Sequence, residues 1–209
     1  LTYDVKYKKL RIGESVLTFH GERDLDGRKV YYVTFVTKIP SLKDAEDLYA
    51  DIDTFLPVEV RRSIKKKTGF DDDIVEKYDQ ENFRVDIKQK SNLRTKEFSI
   101  QRDAPIHNAI LLAYYYRIRE DLDKNKPLEV TLPQIDFKIM YSGTETLDTP
   151  VGQYEAHVFT SDPPKFRLWL SADEKRIPLK IQNPGMLGHS LIIKEIDLSL
   201  IHISEPTRP

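Results

Sequence analysis

The run IHNAILLAYYYRIR, residues 106–119, decides how the rest of the chain is read. Ile106, Ile110, Ala113 and Tyr114 fall on one stripe at helical spacing, Leu111, Tyr115 and Ile118 on a second, and Leu112 with Tyr116 on a third. The spacing predicts a helix that is apolar nearly all round. It should therefore be covered on more than one side, with only its His107/Asn108 and Arg117/Arg119 ends in water. At about 1.5 Å per residue it would be roughly 20 Å long, too short for a bilayer and suited to lie along a sheet. Each of Ile110, Leu111, Leu112 and Ile118 would contribute roughly 1.5–3 kcal/mol if fully buried. Tyr114 and Tyr115 either find hydroxyl partners in a core or line a ligand site.

Outside this run the hydrophobic pattern has period two. It predicts strands over 3–8, 15–22, 29–38, 47–51, 58–67, 71–78, 83–88 and 96–100 before the helix, and over 128–132, 137–147, 153–161, 166–171, 177–181 and 190–196 after it. The strand over 29–38 is apolar on both faces and should sit centrally. Glycine turns are expected at Arg11-Ile12-Gly13-Glu14 and Asp24-Leu25-Asp26-Gly27. Lys65, Lys66 and Lys67 approach Asp71, Asp72 and Asp73 across a tight turn. Cross-strand charge pairing, at a few tenths to about 1 kcal/mol per pair, explains them better than a cation site, since a calcium loop's glycine and distant glutamate are missing. Lys6, Lys8, Lys9 and Arg11 read as a solvated strand face.

Connections as short as Thr149-Pro150-Val151-Gly152 and Asp162-Pro163-Pro164-Lys165 require antiparallel neighbours, because a parallel crossover needs a dozen or more residues. The expected fold is mainly β with a minor α component: a curved antiparallel sheet or incomplete barrel wrapped around one central helix. A helix fills a trough about 10 Å deep. If the sheet curls further, the spare volume becomes a pocket.

Composition narrows the function classes. The 33 lysines and arginines balance 34 aspartates and glutamates, so no global field attracts nucleic acid or an anionic membrane. Cysteine is absent, which excludes disulfides, thiolate zinc sites and cysteine nucleophiles. No stretch reads as a transmembrane segment or a signal peptide, and the start at Leu1 before a strand reads as a truncated or processed end. No glycine- or proline-rich linker divides the chain, so residues 1–197 are expected to form one β-rich domain.

Four stretches, YDVKYKKLRIGESVL (3–17), the helix region 107–117, GTETLDTPVGQYEAHV (143–158) and WLSADEKRIPLKI (169–181), resemble the bacterial family known as domain of unknown function 3108. The resemblance implies a mainly β domain of the periplasm or cell envelope, made with a signal peptide. It carries over no reaction, cofactor or catalytic residue. The final LSLIHISEPTRP, residues 198–209, resembles a translated sequencing adapter and is set apart as a non-native tail.

No two of His20, His107, His157 and His189 sit at metal-binding spacing, and no nucleophile elbow, phosphate loop or dinucleotide fingerprint occurs, so neither a metal nor a cofactor is expected. Glu155 and Asp173 read as a strand-edge acid and a turn acid. In 166–171, Phe166, Leu168 and Leu170 share one face and leave Arg167 and Trp169 on the other. There Trp169 and Arg167 either stack on a sugar or amphiphile or lie beneath another layer. The function expected is therefore a non-catalytic envelope domain holding an apolar ligand or envelope polymer, with Trp169, Arg167, Tyr114 and Tyr115 as candidate contacts. A solid structural or protein-binding module is the alternative, and an envelope glycan hydrolase, needing two acids converging in a cleft, the third reading.

Overall fold

The structure, a computed structural model, describes residues 1–118, 126–182 and 189–198. Eight strands precede the helix: β1 (Thr2–Tyr7), β2 (Leu10–Leu25), β3 (Arg28–Ile39), β4 (Leu42–Asp51), β5 (Pro57–Lys66), β6 (Asp72–Asp79), β7 (Arg84–Ser91) and β8 (Arg94–Gln101). After α1 (Leu112–Ile118) come β9 (Leu128–Thr131), β10 (Asp136–Thr149), β11 (Gly152–Asp162), β12 (Arg167–Ser171), β13 (Pro178–Gln182) and β14 (His189–Glu195). Every pairing between them is antiparallel. The strands form one 14-stranded sheet in the order β8-β7-β6-β5-β4-β3-β2-β1-β14-β13-β12-β11-β10-β9. The first and last strands thus pair at its middle, and β8 and β9 are left as separate edges, so the sheet is not closed.

Alternation accounts for each strand locally. On β7, Val85 and Ile87 are buried while Arg84, Asp86 and Lys88 are exposed, giving one dry and one wet face. The lysine and aspartate runs meet as expected: Lys65 approaches Asp71 at 3.3 Å and Lys66 approaches Asp72 at 2.7 Å.

The first turn is not where glycine was expected to put it. Lys8 takes the left-handed conformation (φ 55°), and Gly13 lies inside β2. Gly13 serves a close approach instead, because a Cβ added there would stand 2.2 Å from the Lys38 carbonyl oxygen and 2.6 Å from Ile39 Cγ2. Gly13→Ala is expected to lose roughly 1–3 kcal/mol by pushing β3 away. Urea denaturation checks this, and a variant as stable as the parent would remove the close-approach explanation.

The helix is half the expected length. Only 112–118 is helical, 106–111 is not, and Arg119 lies outside the described residues. The reason is competition for the backbone. Ile106 donates its N–H to Gln80 Oε1 at 2.9 Å and its carbonyl accepts from Gln80 Nε2 at 2.8 Å. Ile106 also forms a parallel bridge with Thr131, and the His107 N–H donates to the Thr131 carbonyl at 2.7 Å. With those groups committed, the helix starts only after Asn108, whose Oδ1 accepts from the N–H groups of Ile110 (2.9 Å) and Leu111 (3.3 Å) as a cap. His107, expected in water, is buried, with its ring edge-on to Tyr115.

Apolar side chains gather in two clusters. The larger joins Tyr3, Leu17, Val33 and Leu48 to Ile106, Leu111 and Tyr114, and reaches Val158, Trp169 and Ile193. The smaller holds Leu112, Val130, Phe137, Ile139, Phe159, Leu168 and Leu170. Consecutive residues Leu111 and Leu112 therefore belong to different clusters, and the segment 106–114 stands between the two.

Candidate ligand-binding cavity

The space between the clusters is a cavity of about 640 Å³, within the range of about 300–1,000 Å³ usual for small-molecule sites. One wall is Tyr3 of β1, Leu17 of β2 and Phe35 of β3. Facing it are Phe137 and Ile139 of β10 with Leu168 of β12 and Ile181 of β13. Register places these last residues together, since Leu168 pairs directly with Ile181, and Ile181 with Leu191, another lining residue. Ala109, Ile110, Leu112 and Ala113 supply the third side. Two alanines at this crowded place leave room that larger residues would fill.

Its polar groups are few and sit at one end. The Tyr3 hydroxyl is committed elsewhere, donating to the Pro178 carbonyl at 2.9 Å, so the cavity meets the ring. Gln134 and Lys165, on the β9–β10 and β11–β12 connections, are exposed lining residues and therefore mark where the cavity meets solvent. Lys165 is held there through its backbone. Ser161 Oγ accepts from the N–H groups of Lys165 (2.9 Å) and Phe166 (3.1 Å) and donates to the Pro163 carbonyl at 2.9 Å. Phe166 packs edge-on to Phe137 with centroids 5.1 Å apart, completing the rim. No aspartate or glutamate lines the cavity. Among the described residues no group of three or more His, Cys, Asp or Glu side chains could hold a metal ion.

The four candidate contacts lie outside this lining. Trp169 is 2% exposed on the face of β12 opposite Leu168 and Leu170. Its Nε1–H donates to Glu145 Oε1 at 2.5 Å, and the Arg167 guanidinium and Lys180 ammonium stand 4.7 and 4.3 Å from the ring centroid. The chain's own cations thus occupy the ring face that a sugar would use. Burial beside Trp169 pushes the Lys180 ammonium below its usual range, with Glu145 opposing that shift. Tyr114 stacks on Phe55 (5.5 Å, 10°) and packs on Phe19 at 5.8 Å, while Tyr115 meets His107 at 5.2 Å. The helix turns these tyrosines away from the space that Leu112 and Ala113 line. Sequence reasoning missed Phe35, Ile139 and Lys165 as site residues. Alternation puts Phe166 and Leu168 on one face of the strand, and in the structure that face meets the cavity.

A half-buried carboxylate lies near the cavity wall. Glu46 sits directly opposite the lining residue Phe35 in the β3–β4 register and opposite Arg62 in β5. Arg62 makes its close contacts to Asp44, at 2.9 and 2.5 Å, leaving Glu46 a longer one of 3.5 Å. Burial pushes the Glu46 carboxyl up to about 7, against the pull of Arg62 and with further push from Asp44 and Glu76.

An unclosed antiparallel sheet bent around an apolar cavity defines a β-barrel-like protein. The chain belongs to the family described as "Protein of unknown function (DUF3108)", whose model matches residues 2–191. Its fold is similar to that of a crystal structure described as a beta-barrel-like protein of domain of unknown function DUF1849 from Brucella abortus. The TM-score is 0.54 at 11% identity, over 91% of this chain and 92% of that one. At that identity the likeness is one of fold. No curated protein matches the chain.

Proposed function

We propose that this domain binds a single apolar or amphiphilic molecule, of lipid class, in the cavity between its two core clusters, and that it does so in the bacterial cell envelope without catalysing a reaction. The observation that carries the reading is the lining: apolar throughout, free of carboxylates, and polar only at the Gln134/Lys165 rim. A glycan hydrolase would need two converging acids, and this cavity offers none. The sheet in this reading curves around the 106–118 segment and overshoots it, leaving volume the helix does not fill. Against a solid scaffold stands the space itself, about 640 Å³ lined by apolar side chains and open at the rim. Water fills it when nothing is bound, and an apolar chain that displaces this water is the more favourable occupant. The volume suits one chain, since at roughly 30 Å³ per heavy-atom group, a water's share of the liquid, it holds on the order of 20 groups. The envelope assignment rests on the family resemblance.

Native mass spectrometry of protein purified from a bacterial envelope should show one co-purified lipid per chain, and delipidated protein should bind a fluorescent fatty acid. Ala113→Phe, which fills the cavity beside the helix, is expected to weaken that binding at least tenfold, with far-UV circular dichroism unchanged. A clean apo mass together with no binding by the parent protein would defeat the reading.

A further inference from the structure

In the β1–β8 half of the sheet the turns at one end are basic, a pattern hidden by the net charge of −1. Because β1 to β8 are paired consecutively and antiparallel, the β1–β2, β3–β4, β5–β6 and β7–β8 turns all lie at one end and the intervening turns at the other. The intervening turns are mixed: Asp24 and Asp26, Asp51 and Asp53, and Asp79 and Glu81 stand among Arg23, Arg28, Lys29 and Arg84, and Arg28 pairs with Asp51 at 2.8 Å. The first set is basic. Lys8 and Lys9 form the first turn, Lys43 flanks the second, Lys67 lies in the third, and Arg94 and Lys96 lead out of the fourth. All six are exposed, and none has an ion-pair partner among the described residues. In the β5–β6 turn the acids are already engaged, Asp71 and Asp72 by Lys65 and Lys66, and Asp73 by the Ser63 hydroxyl at 2.7 Å.

The same turns hold apolar side chains out into solvent. Leu10 is 69% exposed, Phe70 50%, Leu93 73% and Tyr7 38%. They are four of the six large hydrophobic residues that are exposed among the described residues. Lys8 Nζ stands 5.6 Å from the Tyr7 ring centroid, joining an aromatic and a cation at one tip. Separate apolar tips on the β1–β2, β5–β6 and β7–β8 hairpins, each beside uncompensated cations, are poorly suited to a protein partner, which would need one contiguous patch. A polyanion in water would use the cations and leave the tips idle.

We infer that this end of the sheet docks on the surface of an anionic lipid bilayer, with Leu10, Phe70 and Leu93 entering the headgroup region while the neighbouring lysines and arginine meet lipid phosphates. The inference rests on the turns and their charges, independently of the cavity, so loss of ligand binding by the cavity leaves it standing.

The test is co-sedimentation of the full chain with vesicles of phosphatidylcholine alone and with about one-third phosphatidylglycerol. Binding is expected only to the anionic vesicles, and it should weaken at least tenfold between about 0.05 and about 0.5 M salt. Lys8→Glu/Lys9→Glu/Arg94→Glu should abolish it, and Leu10→Ser/Phe70→Ser/Leu93→Ser should weaken it at least tenfold. These positions are exposed, so unchanged thermal unfolding verifies the fold of both variants. Absence of binding to anionic vesicles overturns the inference. So does parent-like binding by either variant, the serine variant's result then pointing to a polyanion read by charge alone.

Discussion

Trp169→Ala is expected to destabilise the protein by about 3–5 kcal/mol, the usual cost of truncating a buried aromatic to alanine. The ring is 2% exposed and belongs to the larger core cluster, so its removal leaves an unfilled volume beside Val158. Two cations lose the ring they stand over, each worth about 0.5–2 kcal/mol at partly buried sites. The indole donor to Glu145 is lost as well, but that carboxylate's side chain is 45% exposed and can turn to water. Trp169→Phe, which keeps most of the apolar volume and loses the donor, should cost much less. Because this is the sole tryptophan, unfolding must be followed by circular dichroism rather than by its fluorescence. An unfolding free energy for Trp169→Ala within about 1 kcal/mol of the parent's would show that the ring is not part of the core. Since Trp169 does not line the cavity, any effect on ligand binding should follow stability and vanish under conditions where the variant is fully folded.

The second large effect is a dependence of stability on pH centred on Glu46. Its carboxyl is raised by burial from an ordinary 4.5 to about 7 in the folded chain. Folded protein therefore holds this proton more tightly than unfolded protein. The stability it confers is fully present below about pH 4.5, declines as pH rises, and is lost above about pH 7. That shift corresponds to at most about 3 kcal/mol. The groups facing it explain why Arg62 does not prevent this, since Arg62 is held closely by Asp44, and Glu76 adds further negative charge. Glu76 itself accepts from the Tyr78 hydroxyl at 2.5 Å. Glu46→Gln should thus be roughly neutral at pH 4.5 and more stable than the parent by about 1–3 kcal/mol at pH 8, flattening the profile between. Urea denaturation at both pH values measures it. A glutamine variant less stable than the parent at pH 8 would mean that the ionised pair with Arg62 outweighs the burial.

How much of this was legible beforehand depends on how far apart the deciding residues lie. The strand over 83–88 needs only its own alternation, and the Lys65–Asp73 hairpin only a turn with charges on either side. The helix was half legible, because its apolar stripes are local whereas the competitor for Ile106 is Gln80, 26 residues earlier in the chain. The burial of Trp169 depends on a register in which Lys180 comes opposite it, beside an irregularity between Trp169 and Leu170 that no pattern announces. The basic turns were visible as a run at Lys6–Arg11, but that they gather at one end with Phe70 and Leu93 emerges only once the strands are known to pair in succession.

By itself, then, the sequence determined most of the extended segments and that they run antiparallel, because period-two burial and short connections are properties of neighbouring residues. Residues 11–14 and 42–46, expected as turn and connection, belong instead to β2 and β4. Only the tertiary structure decided how tightly the sheet bends, which face of α1 meets the cavity and how much space remains inside. Those follow from pairing β1 with β14 and from side chains meeting across the whole chain, and a volume enclosed between distant strands leaves no mark on any one of them.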